Sequence, residues 1–255
     1  VRDCGATPAT VAVIDGKLKV GLNGYELERI AELGQQAVKC SRRDLPFMIE
    51  SRGTAGTTVA ATMYIARLAG IQVFATGGIG GVHQDAHNTF DISADLQELA
   101  RTNVAVICAG PKSILDIGLT REYLETHGVP IVGYRTDQLP AFFARKSGYS
   151  VDYRLDRPEE VASLLHTKWS LGLDGGVVIA NPIPKEHAID RKTMVQVNET
   201  AVREAIERGV TGKDLTPFLL SRVEELTEGR SLLANRKLML HNAEVGARIA
   251  IAFNP

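Results

Sequence analysis

The chain has 255 residues, of which 44% are hydrophobic and 23% charged, so it is long enough to bury a substantial apolar core. Its 29 Lys and Arg residues and 30 Asp and Glu residues give a net charge of -1, which argues against nucleic acid or an acidic membrane as a partner, because both require a concentrated basic face. Three cysteines without a CxxC pair predict neither a disulfide framework nor a structural zinc site, and favour the reducing cytoplasm. The chain has no apolar run of the roughly 20 residues that a membrane helix needs.

Turn and cap residues divide the first part of the chain into short elements. Asp15-Gly16 is typical of a tight hairpin turn, and Asn23 and Gly34 are typical of the start and end of a helix. In chain order, the predicted elements are a hairpin of residues 11–14 and 18–22, a helix over 23–33, a strand over 36–40, a helix over 57–69 and a strand over 71–75.

Short apolar strands alternate with helical segments through the rest of the chain. The predicted helices cover 93–102, 113–127, 158–172 and most of 190–255, and the predicted strands cover 104–109, 129–134 and 175–180. This alternation predicts an α/β fold: a three-layer α/β/α sandwich with a mainly parallel sheet and a helical C-terminal third. We expect a single domain over residues 1–255.

Lys112 stands out because it follows a strongly apolar predicted strand. In open α/β sheets, ligands bind outside the carboxyl ends of the strands, so this lysine is expected to face the binding crevice. Apolar surroundings lower the pKa of an amine and leave more of it neutral and nucleophilic, as a Schiff-base lysine requires. The alternative is a lysine that reaches solvent or donates to a helix-terminal carbonyl.

A glycine-rich segment, Thr76 to His83, follows another predicted strand. Glycines let the backbone approach a ligand and present N–H groups to an anion, so phosphate is the natural candidate. The spacing is not a dinucleotide fingerprint, because His83 stands where the third glycine would be. A tight strand-to-helix connection that binds nothing is the competing interpretation.

Two carboxylates and a serine follow this glycine loop. Asp91 is expected to precede a helix, Ser93 to cap it and Asp95 to lie in its first turn, which accounts for Ser93 and Asp95 without any function. With His83, the same residues would also suit a phosphate or hard-metal site.

Two further segments have groups that could bind an anion. Lys39, Arg42 and Arg43 form a small basic cluster that could neutralise a phosphate, although such clusters are often solvated faces. Thr58 and Val59 lie at a predicted helix start, where hydroxyl and N–H groups are available.

Long blocks of this sequence resemble pseudouridine-5′-phosphate glycosidases, and the likeness covers nearly the whole chain. The blocks are Thr57-Thr58-Val59-Ala60, Phe74 to His83, Phe90 to Leu96, Ser113-Ile114-Leu115-Asp116, Ala180 to Pro184 and Thr216 to Leu220. The family includes biosynthetic C-glycosynthase relatives.

The resemblance implies a lyase that reversibly converts pseudouridine 5′-phosphate and water to uracil and ribose 5-phosphate. The ribose ring would open, and Lys112 would hold C1′ as an imine-type adduct while its nitrogen acts as electron sink. A C-glycosidic bond has no leaving-group oxygen to protonate, so hydrolysis by paired carboxylates is poorly suited, and a cationic lysine adduct supplies the electron sink instead.

The resemblance also implies roles for individual residues. Lys112 stands at the nucleophile position and Asp91 at the position of a Mn²⁺ ligand. The positions matching substrate contacts or pocket-lining residues are Lys39, Val59, His83, Ser93, Ala94, Asp95 and Asn235. A homotrimer is implied as well.

The sequence departs from the family pattern at three places. The family has a proton-donor Glu upstream of where this sequence starts, and no residue here matches it, so either an N-terminal piece is missing or general acid catalysis is impaired. Gln84-Asp85-Ala86-His87 and Pro111 also differ from the usual residues beside the pocket, which leaves the identity of the base open.

Three alternatives therefore stand beside the glycosidase: a C-glycosynthase that joins ribose 5-phosphate to another aromatic acceptor, a catalytically impaired sugar-phosphate-binding protein, and a Schiff-base aldolase acting on another phosphosugar.

Overall fold

The computed structural model describes residues 1–210, 212 and 215–254, without the side chain of Gln35. Within these residues, no helix is both long enough and apolar enough to cross a membrane.

The strands are short, with two to four residues each. In chain order they are β1 (Val11–Ile14), β2 (Lys17–Val20), β3 (Val38–Cys40), β4 (Ala55–Thr57), β5 (Val73–Ala75), β6 (Val82–His83), β7 (Ala105–Cys108), β8 (Leu115–Asp116), β9 (Ile131–Tyr134), β10 (Tyr153–Leu155) and β11 (Val177–Ala180).

The helices range from a single turn to a long C-terminal helix. They are α1 (Gly24–Leu33), α2 (Leu45–Glu50), α3 (Val59–Leu68), α4 (Ala86–Thr89), α5 (Ala94–Leu99), α6 (Ile117–Thr126), α7 (Pro158–Ser170), α8 (Arg191–Glu207), α9 (Leu215–Leu226) and α10 (Arg230–Phe253).

The central sheet has the strand order β10-β9-β11-β7-β5 and is parallel throughout. Its strands alternate between two apolar layers. Val106 and Cys108 of β7 face a cluster that includes residues of α3, α5 and α6, whereas Ala105 and Ile107 face a cluster built from α7 and α10. Period-two alternation with helices on both faces confirms the predicted α/β/α sandwich.

A second sheet, of order β2-β1-β4-β3, is built from the N-terminal part of the chain. The predicted hairpin forms its edge, with Asp15 and Gly16 at φ values of 50° and 72°. The sequence did not indicate β4 or this separate sheet. A three-residue strand gives too short a pattern to be distinguished from a loop.

Several predicted boundaries differ from the structure. The helix predicted over 113–127 begins only at Ile117, because Asp116 caps it by accepting from the Leu119 N–H at 2.8 Å. Lys112 is therefore four residues before the cap. In contrast, Asn23 caps α1 as predicted, in a reciprocal capping box with Glu26.

The predicted helical C-terminal third is confirmed over α8, α9 and α10. That prediction also covers residues 211, 213, 214 and 255, which lie outside the described residues.

Candidate active site

The candidate site lies where the central strands end. β5 leads into the glycine loop, residues 76–83, and the neighbouring strand β7 leads into the segment that carries Lys112. The two segments run side by side. Ala109 donates to the Gly77 carbonyl at 2.9 Å, and Lys112 donates through its backbone N–H to the Ile79 carbonyl at 3.1 Å. The carboxyl-end placement predicted for Lys112 is confirmed.

Gly110 gives this segment its sharp turn. Its φ is 84°, and a Cβ there would lie 2.2 Å from the Pro140 carbonyl oxygen, so glycine is required both by the backbone conformation and by the space. The turn brings the half-buried Lys112 back beside the glycine loop. Lys112 thus lies before the helix rather than at its start.

Asp95 joins three elements at the site. Its side chain is buried, and its two carboxylate oxygens accept from the Ala60 N–H at 2.9 Å and the Gly80 N–H at 2.8 Å. The carboxylate thereby ties the start of α3 and the glycine loop to α5. Hydrogen bonds to a charged acceptor in a buried setting are among the stronger ones, so Asp95 fixes the loop.

The electrostatics of Lys112 favour a neutral amine. Burial lowers the pKa of Lys112. The positive charge of Lys39 lowers this pKa further, whereas the Asp95 carboxylate raises it. His83 has its pKa lowered mainly by burial, and the charges of Lys39 and Lys112 act in the same direction against Asp91. The charge of Lys39 thus lowers the pKa of both His83 and Lys112, which indicates that the three side chains are close together.

Burial also makes the thiol of Cys108 a poor nucleophile. Cys108 ends β7 and is fully buried, and burial raises the pKa of its thiol to about 12. A thiol in that state carries almost no thiolate at neutral pH.

The Asp91-to-Asp95 segment has the predicted arrangement. Asp91 precedes α5, and Ser93 caps the helix by accepting from the Asp95 N–H at 3.3 Å. Asp91 is partly exposed, with one carboxylate oxygen 3.8 Å from Nε2 of His83. Ala94, the first residue of α5, is exposed.

Lys39, Thr58 and Val59 come from the second sheet and the start of α3. Lys39 is exposed on β3, Thr58 caps α3 by accepting from the Ala61 N–H at 3.4 Å, and Val59 is the first residue of that helix. The cap is a structural role for Thr58. In the first turn of α3, the N–H groups of Ala60 and Ala61 donate to Asp95 and Thr58.

Asn235 approaches the other end of the glycine loop from α10. Its Oδ1 lies 3.3 Å from the position that a Cβ on Gly77 would occupy, and Met239 Sδ lies 3.0 Å from the same position. A Cβ at this position would be in tight contact with both side chains.

Two residues next to the loop were missed as site residues by sequence reasoning. Asn181 and Asn242 are both buried, and Asn242 donates to the Thr76 carbonyl at 2.8 Å. The available signal was a polar residue inside the apolar stripe of a helix: Asn242 lies between buried Leu238 and Val245 on α10.

The predicted metal ligand lies in a sparse donor set. Within the described residues, no group of three or more His, Cys, Asp or Glu side chains is placed to share one ion. Asp91 and His83 together offer a carboxylate oxygen and an imidazole nitrogen.

The chain resembles known proteins along nearly its whole length. The model of a family described as "Indigoidine synthase A like protein" matches residues 1–252. A pseudouridine-5′-phosphate glycosidase of Hahella chejuensis is 60% identical over 253 residues, which are 99% of this chain and 84% of that protein. One from Petrotoga mobilis is 59% identical over 100% of this chain and 83% of its own length.

Solved structures with the same fold agree with these relatives. The prealnumycin C-glycosynthase AlnA, solved in complex with ribulose 5-phosphate, has a TM-score of 0.92 and 38% identity, with 99% of this chain and 83% of that chain covered. An indigoidine synthase A-like protein of Thermotoga maritima has a TM-score of 0.90 and 37% identity, with 98% of this chain and 82% of that chain covered. The chain therefore belongs to the indigoidine synthase A-like family, the family of the pseudouridine-5′-phosphate glycosidases.

Proposed function

We propose that this protein is an enzyme of the pseudouridine-5′-phosphate glycosidase type, which reversibly cleaves the C–C bond between ribose 5-phosphate and uracil through a covalent adduct on Lys112. The observation that carries this proposal is the Lys112 amine, half-buried at the carboxyl end of a central strand with a lowered pKa. The names of relatives that are 60% and 59% identical support the same activity.

The proposed chemistry needs the neutral form of the Lys112 amine, whose share is increased by its lowered pKa, next to a glycine loop whose N–H groups can bind an anion. The amine attacks C1′, and the C1′–O4′ bond breaks as O4′ takes a proton. After the nitrogen loses a proton, its lone pair forms the C=N bond while the C–C bond breaks with its electron pair on the base, and the released base carbon takes a proton. In the reverse, bond-forming direction the C=N bond is the electron sink. Water adds to the C=N bond and, after proton transfer, releases the amine and the ribose 5-phosphate aldehyde.

The remaining residues suit the sugar phosphate. We infer that Lys39 and the Val59 N–H in the first turn of α3, beside Thr58, bind phosphate, because a cation and a helix N-terminus both favour anions. Ser93, Ala94 and the Asp95-tethered glycine loop would form the wall that faces the sugar.

Borohydride trapping tests the nucleophile. Incubation with ribose 5-phosphate and borohydride is expected to add one reduced sugar phosphate to Lys112, located by peptide mass spectrometry. Lys112→Arg is expected to abolish the adduct and to lower turnover by roughly 10³-fold or more, because the guanidinium stays protonated. Lys17→Arg, an exposed residue on β2, is the matched control. An adduct on another residue, or turnover retained by Lys112→Arg, would contradict the proposal.

The structural likeness to AlnA, at a TM-score of 0.92, favours a second candidate: joining ribose 5-phosphate to an aromatic acceptor other than uracil. The same lysine serves both reactions. If Lys112 is trapped but no pseudouridine 5′-phosphate forms from ribose 5-phosphate and uracil, while another aromatic acceptor reacts, the synthase is the correct assignment. Trapping without turnover on any acceptor would favour a sugar-phosphate-binding protein.

A Mn²⁺ ion is proposed at Asp91. The carboxylate and the nearby His83 nitrogen are donors that such an ion accepts, and with few protein ligands its remaining positions would be filled by water and substrate phosphate. The ion would supply positive charge near the phosphate. Asp91→Ala is expected to remove the Mn²⁺ dependence of the rate, whereas Asp85→Ala, a nearby exposed carboxylate, is expected to keep it. An unchanged Mn²⁺ titration for Asp91→Ala would contradict this site.

The homotrimer and the cytoplasmic location stay predictions. For a trimer, light scattering of the purified protein is expected to give a molar mass three times that of the chain. A molar mass equal to that of one chain would contradict the trimer.

A further inference from the structure

A buried amide bridges two consecutive carbonyl groups of the glycine loop. Asn242 on α10 is 1% exposed, and its Nδ2 donates to the Thr76 carbonyl at 2.8 Å and to the Gly77 carbonyl at 3.3 Å. Both contacts join residues more than 160 positions apart in sequence. An amide with two N–H groups is the smallest side chain that can satisfy two neighbouring acceptors and still accept a bond itself.

A second buried amide orients the first. Asn181, directly after β11 and 2% exposed, donates from Nδ2 to Asn242 Oδ1 at 2.9 Å. The same nitrogen lies 3.1 Å from Nδ1 of His241. Because an amide nitrogen only donates, this contact assigns Nδ1 of His241 as the acceptor in the neutral form of the ring, with the proton on Nε2.

This network holds one end of the loop, whereas Asp95 holds the other. Asn242 follows Asn235 by seven residues, so both lie on one face of α10, and the Thr76–Gly77 turn is enclosed between them. The Asp95 contact is at Gly80, on the side of Lys112.

The two ends of the loop suit different parts of the substrate. Cationic Lys39 and the amine of Lys112 are near the Gly80 end, as a sugar phosphate requires. At the Gly77 end, the Asn235 amide offers a donor beside an acceptor, which is complementary to the N–H and C=O edge of an imide ring such as uracil.

We propose that Asn242 and Asn181 are positioning residues for the base half of the reaction: their hydrogen bonds fix the Thr76–Gly77 turn, and through it the place of Asn235 against the base. This inference rests on the proposed function. It predicts that the two half-reactions separate. Sugar capture by Lys112 needs only the Gly80 end of the loop, whereas C–C bond formation also needs the base to be held in line.

The test uses Asn242→Leu, which keeps the branched shape of the side chain and removes both donors, and Asn242→Ser, which supplies one hydroxyl donor in place of the amide. Two rates are compared with those of the wild-type protein: borohydride trapping with ribose 5-phosphate alone, and formation of pseudouridine 5′-phosphate after uracil is added. Trapping is expected to stay within about threefold. Bond formation is expected to fall by about 10- to 100-fold for Leu and by less for Ser, because small misplacements of a reactant cost rates of this order.

A matched control is available at the opposite end of the sheet. Asn103, before the start of β7, donates to Asp174 at 3.0 Å and accepts from the Gly175 N–H at 2.8 Å, so its side-chain amide also ties two points of the chain together. Asn103→Leu is expected to leave the ratio of the two rates unchanged.

The outcomes are separable. Wild-type protein that forms no adduct would overturn the function and this inference together. Wild-type protein that reacts, with Asn242 variants that lose both rates equally or neither, would overturn this inference alone. If Asn242→Leu does not fold, as judged by its melting transition, Asn242→Ser and Asn181→Ser decide, and they are expected to show the same split with smaller losses.

Discussion

Neighbouring charges act in opposite directions on the pKa of Lys112. Burial and Lys39 lower its pKa, and Asp95 raises it, so the direction of the net shift comes from desolvation. An amine of this kind reaches its neutral form at a lower pH than an ordinary lysine, whose pKa is 10.5. The lowered pKa is thus a property of the surroundings of the amine.

The contribution of Lys39 can be measured through the pH dependence of trapping. Lys39→Met removes a cation that lowers the Lys112 pKa, so that pKa rises and a larger share of the amine is protonated at any given pH. The pH at which the trapping rate is half-maximal is therefore expected to move upward. Lys17→Met on β2 serves as the control. A midpoint that stays in place or moves to lower pH would contradict this electrostatic assignment.

Among the elements, the glycine loop depends on close contacts with α5. A Cβ on Gly80 would lie 2.1 Å from Ser93 Oγ and 2.7 Å from Asp95 Oδ2, so no side chain fits without displacing the cap or the buried carboxylate. The loop and the helix are thereby built to match each other, and neither can shift alone.

Gly80→Ala tests this match. The substitution is expected to break the Asp95–Gly80 hydrogen bond and to lower the free energy of unfolding by about 2–4 kcal/mol, through overpacking and a lost buried bond. Trapping of ribose 5-phosphate should slow as well. Gly24→Ala, where a Cβ meets nothing within 4 Å in the first turn of α1, is the matched control. Chemical denaturation of both variants measures the difference, and equal stability would refute the argument.

Across the whole molecule, the half-buried His241 beside Asn242 links stability to pH. Burial lowers the pKa of His241 below its ordinary value of 6.5, with Arg145 and Arg248 acting in the same direction against the Pro182 carbonyl and Glu244. The unfolded chain therefore binds more protons than the folded protein as the pH falls below about 6.5. Stability conferred by the neutral ring is present above that pH and is lost as the pH falls through the lowered pKa.

We accordingly expect the free energy of unfolding to decline below about pH 6.5. The slope cannot exceed about 1.4 kcal/mol per pH unit for each histidine, and partial exposure of the ring reduces it. His241→Asn keeps an acceptor for Asn181 without a titrating ring, so it should flatten the decline, and His83, whose pKa is also lowered, should retain part of it. Urea titrations from pH 5 to pH 8 measure this slope. An unaltered slope in His241→Asn would contradict the assignment.

Local patterns in the sequence were sufficient for the order of the elements and for the place of Lys112. The Asn23 cap, the Asp15-Gly16 turn and the apolar strand before Lys112 each act over a few residues, so they can be interpreted without knowing the fold. The carboxyl-end rule for parallel sheets then placed the lysine in the crevice. The family was predicted from long blocks of matching sequence. The match of the family over residues 1–252 and the 60% identity to a pseudouridine-5′-phosphate glycosidase confirm it.

Only the tertiary structure decided which residues hold the site in shape. Asp95 appeared in the sequence as a first-turn acid, but its carboxylate accepts from Ala60 and Gly80, residues 35 and 15 positions away. Asn242 and Thr76 are 166 positions apart. Hydrogen bonds over such separations leave no local periodicity or spacing, because they depend on how helices pack on the sheet. The sequence by itself therefore determined the fold class and the place of Lys112 after a central strand, and long-range packing determined the network that positions the loop.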